Sequence, residues 1–171
     1  MKPTFRECFD THAPGLLRYL RRLTGSRSDA EELLQDTFLK LHLQVEAGIE
    51  LENVRAWLFR VATNAARDRE RERRVRLRES GEAPASNVVD FETRLTRQHL
   101  TREALRRLTP RMRRVLLLWA EGFSYREIAS VAGIEPGYVG VLVQRARATF
   151  KKAFEHGESG DRTGRTRDGL L

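Results

Sequence analysis

The stretch from Ser124 to Arg147 has the capping and breaking residues of two short helices joined by a tight turn. Ser124 and Glu127 have the spacing of a capping box, in which a hydroxyl and a carboxylate satisfy the first free amides of a helix. Gly133 can adopt the left-handed conformation that ends this helix, and Pro136 suits the first position of the next one. The spacing therefore predicts a helix-turn-helix, which restricts this end of the chain to a small helical fold.

Composition favours small helical units with an electropositive surface. The 171 residues carry a net charge of +8, and 40% of them are hydrophobic, which suits modest cores. Such a charge favours nucleic acid or another anionic partner. The apolar run at residues 115–120 is far shorter than the roughly 18 residues of a membrane span, so no membrane partner is expected. Because no secretory signal pattern follows Met1 and Cys8 is the single cysteine, we expect a cytoplasmic protein.

Apolar spacing predicts a first helical domain over residues 1–79. Its first helix is expected to be bent or interrupted at Pro14, and Ser28 with Glu31 is expected to cap a second helix. After a polar loop over residues 46–53, a third helix continues into an arginine-rich stretch. The first domain is therefore a bundle of three or four helices.

The remaining residues are predicted to form a linker, a second helical domain and a tail. Residues 80–98 begin with glycine, proline and serine and few apolar side chains, which is typical of a flexible linker. Thr109 and Pro110 begin a helix of the second domain, residues 99–156, which contains the helix-turn-helix. Residues 157–171 lack the apolar content to fold and are predicted to be disordered. Since no segment alternates as a strand does, the predicted class is all-α, with two small helical domains.

Signatures of catalysis and of metal binding are missing from the sequence. The four histidines are scattered and form no H-E-x-x-H motif. Neither a phosphate-binding glycine loop nor a serine nucleophile elbow is present. Adjacent acids such as Glu31 and Glu32 splay apart on a helix, which is poor geometry for acid and base catalysis. We therefore expect no catalytic residue, no metal, no cofactor and no small-molecule substrate.

The third helix carries a stripe that suits a nucleic-acid backbone. Three arginines and an asparagine recur at i, i+4, i+7 and i+11 and so share one side of the helix. Arginine donates bidentately to phosphate, and the amide can address a base edge. Alternatively, neighbouring acids pair with the arginines and leave an ordinary solvated face. The stripe consists of Arg60, Asn64, Arg67 and Arg71.

The second helix carries an acidic face that indicates a protein partner. The side away from its apolar stripe holds Glu32, Gln35 and Asp36, with Leu39 among them. A leucine exposed between acids favours docking on a protein, although single exposed leucines are also common on ordinary surfaces. The acidic charge disfavours DNA at this face.

Three blocks of the sequence resemble the extracytoplasmic-function sigma factors, the minimal two-domain form of the sigma-70 family. They are DAEELLQDTF at residues 29–38, RAWLFRVATN at residues 55–64, and LTP at residues 108–110 followed by SYREIA at residues 124–129. The resemblance covers nearly all of residues 5–154, in the family's order and spacing. It implies a transcription initiation factor that binds core RNA polymerase, directs it to promoters and helps to open the DNA.

The resemblance also implies a role for each surface. The second helix would contact the largest polymerase subunit through Asp29 as well as through Glu32, Gln35, Asp36 and Leu39. The loop at residues 46–53 and the helix of Asn64 would engage the promoter hexamer near the start site, where a non-template base is flipped out. The helix-turn-helix would read the farther upstream hexamer as a duplex. Family members are often held inactive by an anti-sigma factor, so such a factor is a further expected partner.

The second helix of the helix-turn-helix departs from the family pattern. Gly140, Val141 and Leu142 stand where lysine, serine and arginine are common, and apolar side chains cannot donate to guanine. Three interpretations are open: contacts by other residues, weak or shape-based recognition, or an apolar face for an anti-sigma factor or another protein. The expected contacts with upstream promoter DNA are Ser124, Tyr125, Arg126, Tyr138, Gln144, Arg145 and Arg147.

Two other functions are weighed against an initiation factor. A regulator that binds DNA by itself would use the helix-turn-helix and reserve the first domain for dimerisation or a ligand. Such a regulator needs neither the block at residues 29–38 nor the stripe around Asn64. A polymerase-binding protein with altered promoter recognition is favoured only by the apolar second helix of the helix-turn-helix.

Overall fold

Seven α-helices make up the part of the chain that the structure, a computed structural model, describes: residues 4–80 and 97–164. We call α1 to α3 the N-terminal unit and α4 to α7 the C-terminal unit. The all-α prediction is confirmed, whereas most of the predicted linker and the last seven residues of the predicted tail lie outside the described residues. The helices are α1 (Phe5–Thr24), α2 (Arg27–Glu46), α3 (Val54–Ser80), α4 (Arg97–Arg106), α5 (Pro110–Ala120), α6 (Tyr125–Ala132) and α7 (Pro136–Gly164).

α1 is one continuous helix, so the expected interruption at Pro14 is wrong. Proline removes one backbone donor from the helix interior, which normally favours a break. Here Ala13 and Leu16 are buried on either side of Pro14, and α1 packs against α2 and α3 over its length. Tertiary packing therefore maintains the helix through the proline.

The N-terminus of α2 lies two residues earlier than the sequence predicted. Ser26, not Ser28, is the N-cap, and its hydroxyl accepts from the Asp29 amide at 3.3 Å. Gly25 ends α1 with a φ of 72°, which places the next residue in the extended conformation of a cap. The predicted box of Ser28 and Glu31 is therefore wrong.

The helix-turn-helix is present as predicted. Ser124 and Glu127 form a reciprocal capping box at α6, and Gly133 ends that helix with a φ of 64°. Pro136 begins α7, which continues to Gly164. Residues 157–164 are therefore helical rather than the beginning of a disordered tail. α7 packs on α4, and Gly157 lies against Leu100 of α4, so tertiary contact extends to the beginning of this segment.

The two units share one buried core. α1 packs on α5, and α3 packs on α6. The rings of Phe59 and Phe123 join the units with centroids 4.8 Å apart, and the Tyr19 ring lies 5.2 Å from Phe59. The Tyr19 hydroxyl shares a 2.8 Å hydrogen bond with the Thr63 hydroxyl, and complete burial raises the pKa of Tyr19.

Candidate nucleic-acid and protein interfaces

The predicted cationic stripe lies on α3 and faces solvent. All four of its members are exposed. Within the described residues, Arg60 and Arg71 form no ion pair, and Arg67 has only a contact of 3.7 Å from its Nε to the carboxylate of the adjacent Asp68. The neighbouring Glu70 pairs instead with Arg74, which lies off the stripe, at 2.6 Å. The stripe therefore keeps its positive charge.

An arginine of α3 orders two of the acids predicted to dock a protein. Arg69 donates from Nη2 to Oε1 of Glu32 at 2.6 Å and from Nη1 to Oδ1 of Asp29 at 3.4 Å. The bonds to Glu32 and the nearby carboxylates raise the pKa of the Arg69 guanidinium. Sequence reasoning missed this residue, because helical spacing shows that Arg69 leaves the stripe but not which helix it faces. Gln35 and Asp36 are exposed beyond the pair.

An exposed apolar surface continues the acidic face of α2. Leu39 is 58% exposed and Leu43 is 54% exposed, whereas Phe38 and Leu41 are buried on the opposite side. Leu39 therefore lies off the core face, as predicted. Val45 and Ile49, at the end of α2 and in the following loop, are also about half exposed. Apolar groups in this arrangement suit a protein partner.

The N-terminus of α6 combines a rigid cap with two exposed side chains. The Ser124 amide and hydroxyl both donate to Oε2 of Glu127, at 2.9 and 2.7 Å, and the Glu127 amide donates back to the hydroxyl. These bonds lower the pKa of Glu127. Ser124 thus positions the helix, while Tyr125 and Arg126 are free to face a partner at its exposed side.

The second helix of the helix-turn-helix is α7, and much of its apolar character is explained by burial. Val139, Leu142 and Val143 are buried and pack in the core, so Leu142 is not a surface residue. Gly140 lies against the Tyr125 ring, where an added Cβ would be 3.4 Å from the nearest ring carbon. The exposed side chains near the start of α7 are Tyr138, Val141, Gln144 and Arg145.

The expected upstream contacts are divided between two sides of the helix-turn-helix. Gln144 and Arg147 line a groove with Trp119, and the Arg147 guanidinium lies 4.7 Å from the centre of the Trp119 ring. Tyr138 is not in this groove and lies under Arg111 of α5, at 5.4 Å. The structure therefore does not gather all of these residues on one surface.

The contact between the two units, which we call the seam, involves residues that the sequence did not single out. Arg18 of α1 forms a bidentate pair with Glu121, with nitrogen to oxygen distances of 3.0 and 2.7 Å. Arg55 of α3 donates to the Glu121 carbonyl and lies 4.0 Å over the ring of Phe123. The turn between α5 and α6 therefore contacts both α1 and α3.

Two features are missing from the described ranges, 4–80 and 97–164. Neither range contains a helix that is long and apolar enough to cross a membrane. Nor does either bring three or more histidine, cysteine, aspartate or glutamate side chains together as metal ligands.

Comparison with known proteins assigns both units. Residues 8–76 match the model of Sigma-70 region 2, and residues 98–150 match that of Sigma-70, region 4. The RNA polymerase sigma factor CarQ of Myxococcus xanthus is 37% identical over 141 residues, which span 78% of this chain and 79% of that protein. The ECF RNA polymerase sigma factor SigL of Mycobacterium tuberculosis is 35% identical, with the same coverage of 78% and 79%.

Solved structures agree with this assignment. The sigma factor RpoE from Bartonella quintana, in complex with the anti-sigma factor NepR, matches with a TM-score of 0.73 and 25% identity over 88% of this chain and 96% of its own. CnrH, in complex with the cytosolic domain of CnrY, matches in fold with a TM-score of 0.65 and 24% identity, covering 89% and 88% of the two chains.

A helix-turn-helix unit beside a unit with an exposed cationic stripe, together with the two family matches, defines a DNA-binding protein of transcription. The chain belongs to the extracytoplasmic-function group of RNA polymerase sigma factors, in the sigma-70 family. It is a transcription initiation factor that binds core RNA polymerase and promoter DNA. The family assignment decides against the regulator that binds DNA by itself.

Proposed function

We propose that this sigma factor uses separate surfaces for polymerase and for each of two promoter elements. The observation that carries the proposal is the exposed stripe on α3, whose cations remain available while Arg69 pairs with Asp29 and Glu32 of α2. One face is thus positive and the other carries acids beside leucines. The proposed domains are residues 1–79 and 99–156.

The α2 face is the proposed polymerase-binding surface. Arg69 restrains Asp29 and Glu32 at one end of the face, and exposed leucines extend it at the other. Restrained acids lose less side-chain entropy on binding, and the leucines supply apolar area that water does not favour. The proposed contacts are Asp29, Glu32, Gln35, Asp36 and Leu39.

The α3 stripe is the proposed contact with promoter DNA near the start site. Arg60, Arg67 and Arg71 would hold the strand backbone, and Asn64 would address a base. Extracting a base costs a few kcal/mol, so cationic contacts must compensate along the strand. The exposure of all four side chains supports this assignment.

The helix-turn-helix is the proposed reader of the upstream duplex. Gln144 and Arg145 would approach base edges, and the exposed Val141 would contact a thymine methyl. Ser124 would contribute through its cap, while Tyr125, Arg126 and Tyr138 would position the unit on the backbone. Arg147, which lies over Trp119, would reach phosphate from the edge of the unit.

We further propose that the protein acts in the cytoplasm, by binding alone, and under control of an anti-sigma factor. The observation that favours such control is the likeness to RpoE, which was solved with the anti-sigma factor NepR and matches this chain over both units.

Transcription in vitro tests the proposed function. Purified protein and core RNA polymerase are combined with genomic promoter fragments, and a reaction without the protein is the control. We expect transcripts that begin at defined positions only when the protein is added. Tight binding to core polymerase without any promoter-specific initiation would support the polymerase-binding protein with altered promoter recognition instead.

A further inference from the structure

A small cavity lies between the two units, where the end of α1, α2 and α3 meet the beginning of α5. Its volume is about 70 Å³, and five arginines and two carboxylates are among its lining residues. A water site needs about 10–15 Å³ on this measure, so the cavity has room for a group of several oxygen atoms. The arginines are Arg67, Arg69, Arg73, Arg113 and Arg114.

Both carboxylates of the cavity already have cationic partners. Asp29 accepts from Arg69, which also binds Glu32. Glu70 accepts from Arg74, one turn farther along α3, at 2.6 Å. The acids of the lining are therefore occupied by pairs formed within the N-terminal unit, and neither forms an ion pair across the seam.

Three of the arginines lack a strong hydrogen-bond partner among the described residues. Arg73 and Arg114 form no hydrogen bond or ion pair there, and Arg67 has only its 3.7 Å contact with Asp68. Arg113 is committed elsewhere, since it donates to the carbonyls of Leu105 and Leu108. Cations of both units thus line one space, and its two carboxylates, Asp29 and Glu70, already pair with Arg69 and Arg74.

The environment of Arg114 increases the need for an anion. Desolvation lowers the pKa of the Arg114 guanidinium, and the nearby charge of Arg67 acts in the same direction, whereas the Glu70 carboxylate offsets only part of this effect. The first turn of α5 carries no acid that would complement the helix dipole. A guanidinium that is partly removed from water and lies near a second cation is unfavourable unless an anion joins them.

We propose that this cavity binds a phosphate group that Arg67 and Arg73 of the N-terminal unit contact together with Arg114 of the C-terminal unit. Guanidinium groups donate two parallel hydrogen bonds to phosphate oxygens, so three of them form a selective site. A free oligophosphate and a DNA strand offer the same chemistry, and the small volume favours the free anion. The bound group bridges the units and stabilises their compact arrangement by mass action.

Calorimetric titration of the full chain with inorganic pyrophosphate, at constant ionic strength, tests this site. We expect saturable binding with one anion per chain, weakened about tenfold or more in Arg73→Gln and in Arg114→Gln by the loss of a charge-assisted hydrogen bond. Arg78→Gln is the matched control, because Arg78 is exposed on the same helix and outside the cavity. Arg73 is exposed as well, so its variant should fold even if Arg114→Gln does not.

A second titration with short oligothymidylate identifies the source of the phosphate. If pyrophosphate binds more tightly than the strand, the phosphate of the site comes from a free anion. If only the strand binds, with the same dependence on Arg73 and Arg114, the site is supported and its phosphate comes from nucleic acid. Absence of saturable binding by either probe, or an equal loss in Arg78→Gln, would overturn the proposal. Neither titration contains polymerase, so the result is independent of the transcription assay.

Discussion

Single arginines determine which parts of this surface remain charged. Arg69 is only two positions from Arg67 and Arg71, yet it faces α2 and pairs with Glu32, while its neighbours face solvent. Residues two positions apart on a helix point about 200° apart, so the same arginine-rich segment can serve two purposes. Arg69 orders two acids of the face that we propose for polymerase binding, and the exposed arginines form the cationic stripe.

Substitution in the stripe should separate promoter opening from polymerase binding. We expect Asn64→Ala and Arg67→Ala each to weaken open-complex formation about tenfold, because each loses a hydrogen bond to the strand. Permanganate reactivity of unpaired thymines measures opening, and co-purification measures binding to core polymerase. Arg74→Ala, which breaks only a pair within α3, is the control. Equal loss of core binding in the stripe variants would show that the stripe has been misassigned.

The cap of α6 should make the stability of the protein depend on pH in the acidic range. Hydrogen bonds from Ser124 lower the pKa of Glu127 below its ordinary value of 4.5. Its stabilising effect is therefore complete above about pH 4.5 and is lost as the pH falls through the lower folded value. In Glu127→Gln the melting temperature should fall less between about pH 5 and pH 3 than in the unaltered chain. Identical pH profiles would mean that the carboxylate contributes nothing.

At the scale of helices, the ends of a helix could be predicted from neighbouring residues, but which helices pack together could not. The box of Ser124 with Glu127 involves neighbouring residues, so the sequence alone indicated it correctly. Ser26 and Ser28 each have an acid three positions later, and the glycine at 25, which ends α1, decides that Ser26 is the cap. That decision depends on how one helix ends and the next begins. Predicting the contact of Phe123 with Phe59 would require knowledge of which apolar faces meet.

An aspartate introduced on the exposed face of α2 should affect stability less than one introduced on the buried face. We expect Leu39→Asp to weaken core binding while it changes the free energy of unfolding by no more than about 0.5 kcal/mol, because the side chain is exposed. Leu41→Asp is the matched variant on the buried face, and it should destabilise the fold by about 4 kcal/mol or more. Denaturant titration and a pull-down with core polymerase separate the two effects. A large loss of stability in Leu39→Asp would place that side chain in the core.

Gly140 is a position where α7 can be strengthened. Glycine inside a helix costs about 1 kcal/mol relative to alanine, and α7 passes through this residue. The added methyl group would meet the Tyr125 ring at 3.4 Å, and that ring is 46% exposed and so can move aside. We therefore expect Gly140→Ala to stabilise the protein by about 0.5–1 kcal/mol in denaturant titration. Destabilisation would show that Tyr125 is fixed in place.

At the scale of the whole molecule, the seam joins units that the sequence presents as separate. Glu121 is almost buried between them, with 7% of its side chain exposed, and both of its carboxylate oxygens accept from Arg18. Phe123 adds an apolar contact beside this pair. Both units therefore depend on contacts that neither forms alone, and unfolding of one should expose the core of the other.

This dependence predicts a single cooperative unfolding transition for the full chain in scanning calorimetry, with equal calorimetric and van't Hoff enthalpies. Phe123→Ala should remove about 3–5 kcal/mol of stability and, because it deletes a contact between units, divide the transition in two. Val143→Ala is the control, since Val143 is buried on α7 within the C-terminal unit. It should lower the melting temperature without dividing the transition. Two transitions in the unaltered chain would show that the seam does not couple the units in solution.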